Sequence, residues 1–483
     1  MTHFMFFRRL GSGSDSNASV ASSSDPARVV PARTRMLLEA PIVPTLLRLA
    51  APNVLNLLAI AGLITFDGLF VGRLGPDALA GISLVFPWVM LMQHGAASGM
   101  GGAVSSAIAR ALGAGQRERA NDLATHAFLL ALMLSALFSV LMLLAGPVIY
   151  RWMGGHGAIL EAAVAYSNVA FGGVLSIWML NLLGNVVRGT GNMGLPATVI
   201  VGSVLGHVII SPMLIFGIGP MPALGTAGAG WGLVTSFGVG SVVLLAYLRS
   251  SRSLVTLSFR GMCLKRELFG EFFRVGVPGM VNVAITNMTV ITLTGVAGHL
   301  GRDTAIGYAM GARLEYIIIP LGFGFGTGIV ALVGTNWGAK QYARARAIAW
   351  TGGAVLAVAC GAVGLFFALF PLLWMTIFTG EEEVIRIGVS YLRLVGPTYA
   401  LYGFGIGLYF ACQGYGKVVF AVVANGIRLL LAAGGGVIAM FWMGAGAAGI
   451  FAAIALGFVV YAGLTSIALS RIRVTTQAKG GGS

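Results

Sequence analysis

The chain has 483 residues, of which 57% are hydrophobic and only 9% are charged, and its mean hydropathy is +0.90. This composition excludes an ordinary soluble globule and is typical of a polytopic membrane protein. The net charge of +15 could suit nucleic acid, but the basic residues are placed so that they orient the protein in a membrane. We therefore expect no nucleic-acid partner.

Twelve apolar runs follow a polar N-terminal segment, and each is long enough to form a membrane-spanning helix. The first six predicted spans are 45–71, 79–108, 124–145, 163–186, 196–216 and 228–248. The second six are 276–297, 304–334, 350–371, 388–411, 419–441 and 447–469. The predicted fold class is an all-α integral membrane protein with twelve transmembrane helices.

The two sets of six spans are copies of one unit. The stretch Arg48-Leu-Ala-Ala-Pro52 recurs as Arg274-Val-Gly-Val-Pro278, an offset of 226 (278−52). Further on, Gly113 recurs as Gly338, an offset of 225 (338−113). An even number of spans returns the chain to its starting side, so the copies are parallel repeats related by an axis along the membrane normal. We predict two pseudo-symmetric six-helix lobes around a central cleft.

The sequence divides into five predicted segments. A Ser-rich stretch at 1–40 has the composition of a disordered cytoplasmic tail. The N-terminal lobe at 41–250 is followed by a basic, amphipathic linker on the cytoplasmic surface at 251–274. The C-terminal lobe occupies 275–473, and the tail at 474–483 ends in Gly-Gly-Gly-Ser, typical of an added flexible linker.

Basic residues indicate the orientation in the bilayer. Most lie on the side of the two termini, and only Arg73, Arg151, Arg302 and Arg386 lie on the opposite side of the predicted spans. By the positive-inside rule both termini are cytoplasmic. We expect a multi-pass protein of the inner (plasma) membrane of the cell, present as a monomer in contact with the lipid bilayer.

Asp67 lies inside the first predicted span, where a charge at the bilayer centre costs about 2.5–3.5 kcal/mol on insertion scales. Its counterpart 226 positions on is Leu293, so the scaffold itself does not require an acid there. Low-dielectric surroundings favour the neutral form of a carboxyl group, which lets such a group take up and release a proton near neutral pH. The same carboxylate could instead ligate Na⁺ with neighbouring Asn and backbone oxygens, and the residues leave both alternatives open.

Other polar residues of the first half are candidates for the coupling site or the substrate cavity. His207 lies in the middle of the fifth span, with Ser211 one turn later. A lone histidine is often a packing group, but imidazole titrates near neutral pH, so His207 is a candidate proton partner for Asp67. The candidate cavity residues are Asn53, Asn56, Gln93, Asn168, Asn181, Asn185 and Ser211. Bonding between neighbouring helices is the alternative role for the asparagines.

Two more residues carry alternatives. Glu315 lies in the eighth span and either forms a structural ion pair with Arg313, Arg393 or Arg428, or belongs to a second coupling or substrate site. Pro52 removes one backbone hydrogen bond within the first span, so the helix has either a static kink or a hinge there.

The sequence lacks the motifs of metal and nucleotide chemistry. There is no metal-ligand spacing, the three cysteines form no evident pair, and the loop Gly-x-x-x-x-Gly-Lys-Ser/Thr is absent. We therefore expect no enzymatic activity, no metal site and no cofactor, with H⁺ or Na⁺ as the coupling ion.

Several stretches together resemble one transporter family. In the first half they are Phe66-Asp67-Gly-Leu-Phe-Val-Gly72-Arg73-Leu-Gly75, Arg110-Ala-Leu-Gly113-Ala-Gly115-Gln-Arg-Glu-Arg119-Ala and Arg188-Gly189-Thr-Gly191. In the second half they are Leu332-Val-Gly334-Thr-Asn336-Trp-Gly338-Ala and Gln413-Gly-Tyr-Gly416. In this order on twelve spans, they resemble the multidrug and toxic compound extrusion (MATE) family over about 41–473. The resemblance implies two six-helix lobes facing a central cleft, and export of drugs by antiport against H⁺ or Na⁺.

The resemblance also bears on the coupling ion. Asp67 falls on the first-helix aspartate of the family, but His207 and Ser211 stand where one branch often has Asn and Asp. The glutamate of the sodium-type branch in the seventh helix is replaced by Thr286-Asn287, and its tenth-helix acid is also missing. We therefore expect export of cationic or amphipathic small molecules coupled to inward H⁺ flux, with His207 as the partner of Asp67.

Three other functions remain as alternatives. They are a Na⁺-coupled antiporter of the same fold, a flippase for lipid-linked precursors, and a membrane receptor or scaffold that transports nothing. A flippase would need a large cationic cavity, which the few intramembrane arginines do not favour. A receptor or scaffold would need neither the lone buried acid nor the repeated lobes.

Overall fold

The computed structural model describes residues 31–259, 264–442 and 444–472. These residues form helices and turns, and no β-strand occurs among them. Within these ranges, ten helices or continuous helical runs are long and apolar enough to cross a membrane, and the number is eleven if one bent pair is a single span. The all-α fold is confirmed, whereas the number of twelve spans stays a prediction.

The N-terminal lobe begins after a short helix, α1 (Ala32–Glu39). Its helices are α2 (Ile42–Gly72), α3 (Pro76–His94), α4 (Gly101–Gly113), α5 (Arg117–Trp152), α6 (Gly157–Gly172), α7 (Leu175–Gly189), α8 (Gly194–Phe216) and α9 (Thr226–Arg249). A π-helical turn at Gly95–Met100 joins α3 to α4, and α6 meets α7 at an angle of 45°. The eight helices follow the first six predicted spans.

The C-terminal lobe repeats this plan. Its helices are α10 (Arg266–His299), α11 (Arg302–Ala312), α12 (Glu315–Gly338), α13 (Tyr342–Leu369), α14 (Pro371–Met375), α15 (Glu382–Val395), α16 (Tyr399–Gly414), α17 (Val419–Phe441) and α18 (Gly446–Ser470). A 3₁₀ turn at Gly396–Thr398 joins α15 to α16 at the tenth predicted span. This pair is not among the ten runs that meet the length and composition of a span.

The structure differs from the predicted segments at two places. Helix α10 begins at Arg266, so the second half of the predicted linker extends the seventh span, because Leu268 and Phe272 are buried against the N-terminal lobe. Helix α1 lies within the predicted tail, where the backbone oxygen of buried Leu37 accepts a hydrogen bond of 3.0 Å from Asn336 Nδ2. Residues 1–30 of the predicted N-terminal tail and the whole predicted tail at 474–483 lie outside the described residues.

The lobes meet where α4 packs against α12, near the ends of both helices. Gly113 and Gly338 are equivalent in the repeat, and a Cβ atom on either would overlap the backbone carbonyl of Thr335 or Arg110 in the opposite lobe. Only glycine permits this approach of two helices. The other halves of the same spans, α3 and α11, share no comparable interface. The lobes are thus closed on one side, which we call the inner interface, and it is the side predicted to be cytoplasmic.

Candidate functional site

Asp67 and His207 are in direct contact within the N-terminal lobe. Helix α2 packs along α8, which brings Asp67 Oδ1 to 2.6 Å from His207 Nε2. The imidazole is fully buried, whereas 21% of the Asp67 side chain is exposed. A contact this short implies that a proton lies between the two atoms. The structure therefore brings the two predicted coupling residues together.

The charged surroundings of this pair are limited: among the described residues, no lysine or arginine lies within ion-pair distance of Asp67. The buried phenol of Tyr166 on α6 is close enough to interact electrostatically with Asp67. On α8, His207 Nδ1 and Ser211 Oγ are buried without a hydrogen-bond partner in the described part of the chain. The side-chain partner of Asp67 in the described part of the chain is therefore an imidazole and not a permanently charged group.

The other half of α2 contacts the opposite lobe. Asn53 Nδ2 donates hydrogen bonds to Leu49 O at 3.1 Å and to Thr327 Oγ1 of α12 at 2.8 Å. Because α2 continues as one helix through Pro52, this contact and Asp67 lie on the same helix. Asn53 and Asp67 are about 21 Å apart along the helix axis, at a rise of about 1.5 Å per residue.

The other predicted cavity residues separate into buried and exposed side chains. Asn181 Nδ2 donates to Ile177 O at 2.9 Å, and Asn185 Nδ2 donates to Ala97 O of the π-helical turn at 3.0 Å. The Asn185 bond joins two helical segments, which is the alternative role predicted for the asparagines, whereas the Asn181 bond stays within α7. Asn56 and Gln93 are also buried, whereas Asn168 is exposed.

A small cavity lies between the lobes, beside Asn185. Its volume is about 10 Å³, close to the minimum that one water molecule requires. It is lined by Ala97, Ser98, Gly102, Ser105, Asn185, Thr327, Val330, Phe410 and Gln413. Gln413 Nε2 donates to Ser98 O at 2.9 Å, and this bond joins the lobes. Gln413 opens the family motif Gln413-Gly-Tyr-Gly416 but was not among the predicted cavity residues, although it stands at the repeat position of Arg188 (413−225), a polar residue at the same helix end.

Glu315 lies in the C-terminal lobe and takes no part in the Asp67–His207 contact. Tyr391 donates a hydrogen bond of 2.9 Å from its hydroxyl to Glu315 Oε1. No arginine is within ion-pair distance of Glu315 in the part of the chain that is described: the Arg313 guanidinium lies over the ring of Phe378, and Arg393 is exposed. The predicted direct ion pair is therefore absent from these residues, and Arg428 interacts with Glu315 only at longer range.

The comparison with known families follows the internal repeat. The sequence profile of the MatE family matches residues 52–213 and 278–438, once in each lobe. The chain belongs to the MATE family. The two matched segments begin at Pro52 and at its repeat equivalent Pro278, so each lobe is one copy of the family's unit.

The curated relatives of this MATE protein are named as transporters. A protein of Shewanella oneidensis named as an FAD transporter is 25% identical over 397 residues, which cover 82% of this chain and 87% of that protein. The probable multidrug resistance protein YoeA of Bacillus subtilis is 25% identical over 342 residues, covering 69% of this chain and 73% of the relative. The chain is thus similar to multi-pass membrane transporters over most of its length, and no relative among these is named as an enzyme.

Solved MATE structures share the fold. A MATE protein in a bent conformation superposes with a TM-score of 0.84 at 24% identity, covering 90% of this chain and 97% of the other. A MATE protein in a straight conformation gives a TM-score of 0.83, also at 24% identity, covering 91% and 98% of the two chains. This likeness confirms the predicted MATE architecture of two lobes at the level of the fold.

Proposed function

We propose that this MATE protein is a multidrug exporter that exchanges cationic or amphipathic small molecules for protons at the Asp67–His207 pair. The observation that carries the proposal is the contact of 2.6 Å between Asp67 Oδ1 and His207 Nε2. It joins a membrane-embedded acid to the one protein side chain that ordinarily gains and loses charge near neutral pH.

The pair has two charge states that matter for exchange. With one proton, held on Nε2 and shared with Oδ1, the pair carries a charge of −1 and attracts a cationic substrate into the N-terminal lobe. A second proton makes the pair neutral and removes that attraction. Substrate and proton therefore disfavour each other's binding, which is the coupling that an antiporter requires.

Helix α2 supplies the connection between this site and the opposite lobe. Pro52 lacks a backbone N–H and weakens the helix at that point, and the next residue, Asn53, bonds Thr327 of the C-terminal lobe. A displacement of the outer half of α2 would therefore disturb the hydrogen bond between Asn53 and Thr327. This supports Pro52 as a hinge, with the lobes rocking between two states.

The direction of opening agrees with export. The lobes are closed at Gly113 and Gly338, the side that the basic residues predict to be cytoplasmic. Asp67 lies five residues before the other end of α2 (72−67). In this state the carboxylate would be reached from the outer side, from which protons flow inward.

The rival functions receive less support from the site. Na⁺ is a hard cation that prefers several oxygen ligands, whereas this site offers one carboxylate whose oxygen already contacts an imidazole. A flippase would favour a cationic cleft, whereas the proposed site contains an acid with no lysine or arginine of the described residues within ion-pair distance. The relative named as an FAD transporter makes FAD a necessary comparison substrate, although a negatively charged Asp67 would disfavour so large an anion.

Transport by the purified protein in liposomes tests the proposal. We would follow a fluorescent organic cation and FAD separately, under a pH gradient or a Na⁺ gradient. The Asp67→Asn variant should fold and insert but lose pH-driven transport of the cation, and the matched control is Asp77→Asn, because Asp77 is exposed at the start of α3. Full pH-driven transport by Asp67→Asn, or transport driven only by Na⁺, would overturn the proton-coupling role.

A further inference from the structure

The short helix α1 touches both lobes at the inner interface. It leads through Pro41 into α2, so by connectivity it belongs to the N-terminal lobe. Its buried face is formed by Thr34 and Leu37, which are 4% and 1% exposed. Leu37 packs in the hydrophobic core that is built mainly from the C-terminal lobe. Helix α1 therefore crosses from one lobe to the other.

Two side chains of the C-terminal lobe bind the backbone of this segment. Asn336 Nδ2 of α12 donates a hydrogen bond of 3.0 Å to Leu37 O, and Arg344 of α13 donates from Nη2 to Ala40 O. Asn336 is fully buried and follows Thr335, which belongs to the inner interface. The bonds to α1 therefore lie at the place where the two lobes are closed.

Two prolines explain why these carbonyl groups are available. In a continuous helix, Leu37 O and Ala40 O would accept from the N–H groups four residues further on. Those residues are Pro41 and Pro44, which have no N–H. Ala40 precedes a proline and is extended, with a ψ of 155°, so α1 ends before α2 begins. The sequence thus leaves two backbone oxygens that need donors from outside their own helix.

Leu37 also packs beside the N-terminal lobe, at the turn between α7 and α8. A Cβ atom on Gly191 would lie 2.8 Å from Leu37 Cδ1, and Gly191 has a positive φ of 81°. A side chain at this position would be strained and would displace Leu37. Leu37 therefore has contacts in both lobes, with Gly191 in one and Asn336 in the other. Opening of the inner interface must break at least one of these contacts.

The internal repeat contains a second connection of the same kind. Arg344 is equivalent to Arg119 (344−225), and Arg119 bonds Glu271 at 3.0 Å near the start of α10. Each lobe thus binds the inner end of the other lobe. The two connections differ, because α10 is one helix from Arg266 onward, whereas the extended residue Ala40 separates α1 from α2. Helix α1 can therefore leave the C-terminal lobe without a displacement of the span that follows it.

We propose that α1 is a releasable strap that keeps the inner side of the transporter closed, and that it detaches from Asn336 and Arg344 when this side opens. The inference goes beyond the proposed function, because it does not depend on which ion drives transport. The contacts of the strap are an apolar side chain and two hydrogen bonds to backbone oxygens. Release should therefore respond little to salt, in contrast to the bond between Arg119 and Glu271.

The distance between spin labels on the exposed residues Gln116 and Gln341 tests the strap, in a background without native cysteines. Leu37→Ser removes the buried apolar contact, and we expect the population with a longer distance to rise about ten-fold. Leu38→Ser is the matched control, because Leu38 is on the same helix and only partly buried. An unchanged distance in Leu37→Ser, even with a lower unfolding temperature, would make α1 a packing element and overturn the proposal.

A second pair of labels, on the exposed residue Arg33 of α1 and on Gln341, follows the strap itself. Arg344→Ala removes one of its two hydrogen bonds, and we expect the detached population to rise about five-fold. The control is Arg346→Ala, because Arg346 is exposed on the same helix. Arg344→Ala also decides if Leu37→Ser fails to fold. Equal distances in Arg344→Ala and Arg346→Ala would overturn the proposal.

The strap and the proposed proton coupling fail separately. The strap acts at the start of α2, whereas Asp67 lies near its other end. The effect of Leu37→Ser on the label distances should therefore persist in an Asp67→Asn background, whether or not that background transports its substrate. Loss of the effect there would mean that α1 follows the charge of the coupling site, which would overturn its role as an independent strap.

Discussion

Asn53 in the N-terminal lobe donates a hydrogen bond of 2.8 Å to Thr327 in the C-terminal lobe. This contact lies beside Pro52, on the same helix that carries Asp67. One helix therefore holds both the proposed proton site and a polar contact with the opposite lobe. A change at Asp67 that moves α2 can reach the C-terminal lobe without any intermediate element.

Thr327→Val should weaken this connection while keeping the shape of the side chain. The variant removes the acceptor of Asn53 Nδ2, which retains its bond to Leu49 O. We expect the free energy that holds the two lobes together to fall by about 1 kcal/mol. Coupled efflux in liposomes should fall several-fold. Thr465→Val is the control, because the buried Thr465 hydroxyl bonds only its own helix. Wild-type efflux by Thr327→Val would show that the contact does not transmit the change.

His207→Ala should shift the pH profile of efflux. The substitution removes the imidazole that contacts the Asp67 carboxylate at 2.6 Å, which is the side-chain type that ordinarily gains and loses charge near neutral pH. Efflux would be measured as a function of pH in liposomes. His126→Ala is the matched control, since His126 is also buried but bonds the backbone of Asp122 and Lys265. An unchanged profile for His207→Ala would reduce His207 to a packing residue.

The sequence predicted the pairing of Asp67 with His207 from chemistry rather than from geometry. A lone acid such as Asp67 is energetically unfavourable within a span and therefore indicates a function. His207, in another span of the same lobe, is a titratable side chain and was therefore predicted as its partner. The repeat places Leu293 at the matching position, which indicated that the scaffold does not require the acid and made Asp67 a candidate for function. Both inferences depend on residue type and position alone, which a single sequence contains.

The contacts between the lobes were not predictable in the same way. Thr327 and Gln413 meet Asn53 and Ser98 only because two copies of one unit dock face to face, and hydrophobic periodicity does not record that docking. The extension of α10 before the predicted seventh span was not predictable either. Leu268 and Phe272 have the spacing of an amphipathic helix, and that pattern is the same whether the helix is separate or continuous with a span.

Gly113→Val should open the inner interface. A side chain here would overlap the carbonyl of Thr335 in the opposite lobe, so the closed arrangement becomes unfavourable and the population shifts toward the state that is open on this side. Spin labels on the exposed residues Gln116 and Gln341, in a background without native cysteines, would report the distance between the lobes. The distance should increase in Gly113→Val and stay unchanged in Gly463→Val, because nothing lies near Gly463. Equal distances in both variants would contradict the closing role of Gly113.

Glu271 should hold the same interface electrostatically. Its Oε1 lies 2.7 Å from Arg110 Nη2 and its Oε2 lies 3.0 Å from Arg119 Nη2, so the start of α10 is bonded to two helices of the N-terminal lobe. Arg110 also donates to Gly414 O at 3.2 Å and is 16% exposed, whereas Arg119 is 52% exposed. Because the penalty for an unpaired charge grows with burial, the bond to Arg110 should contribute most of the stabilisation.

Glu271→Gln should therefore destabilise the closed state by about 2 kcal/mol, which is roughly a 30-fold change in its population. Arg119→Ala should cost at most about 0.5 kcal/mol, and high salt should remove that small effect. The same spin-label distance checks both variants. Combining Glu271→Gln with Gly113→Val should add little to the opening, because both substitutions act on one closed state whose population Gly113→Val has already depleted. If Arg119→Ala opened the lobes as far as Glu271→Gln does, the exposed bond rather than the buried one would hold them together.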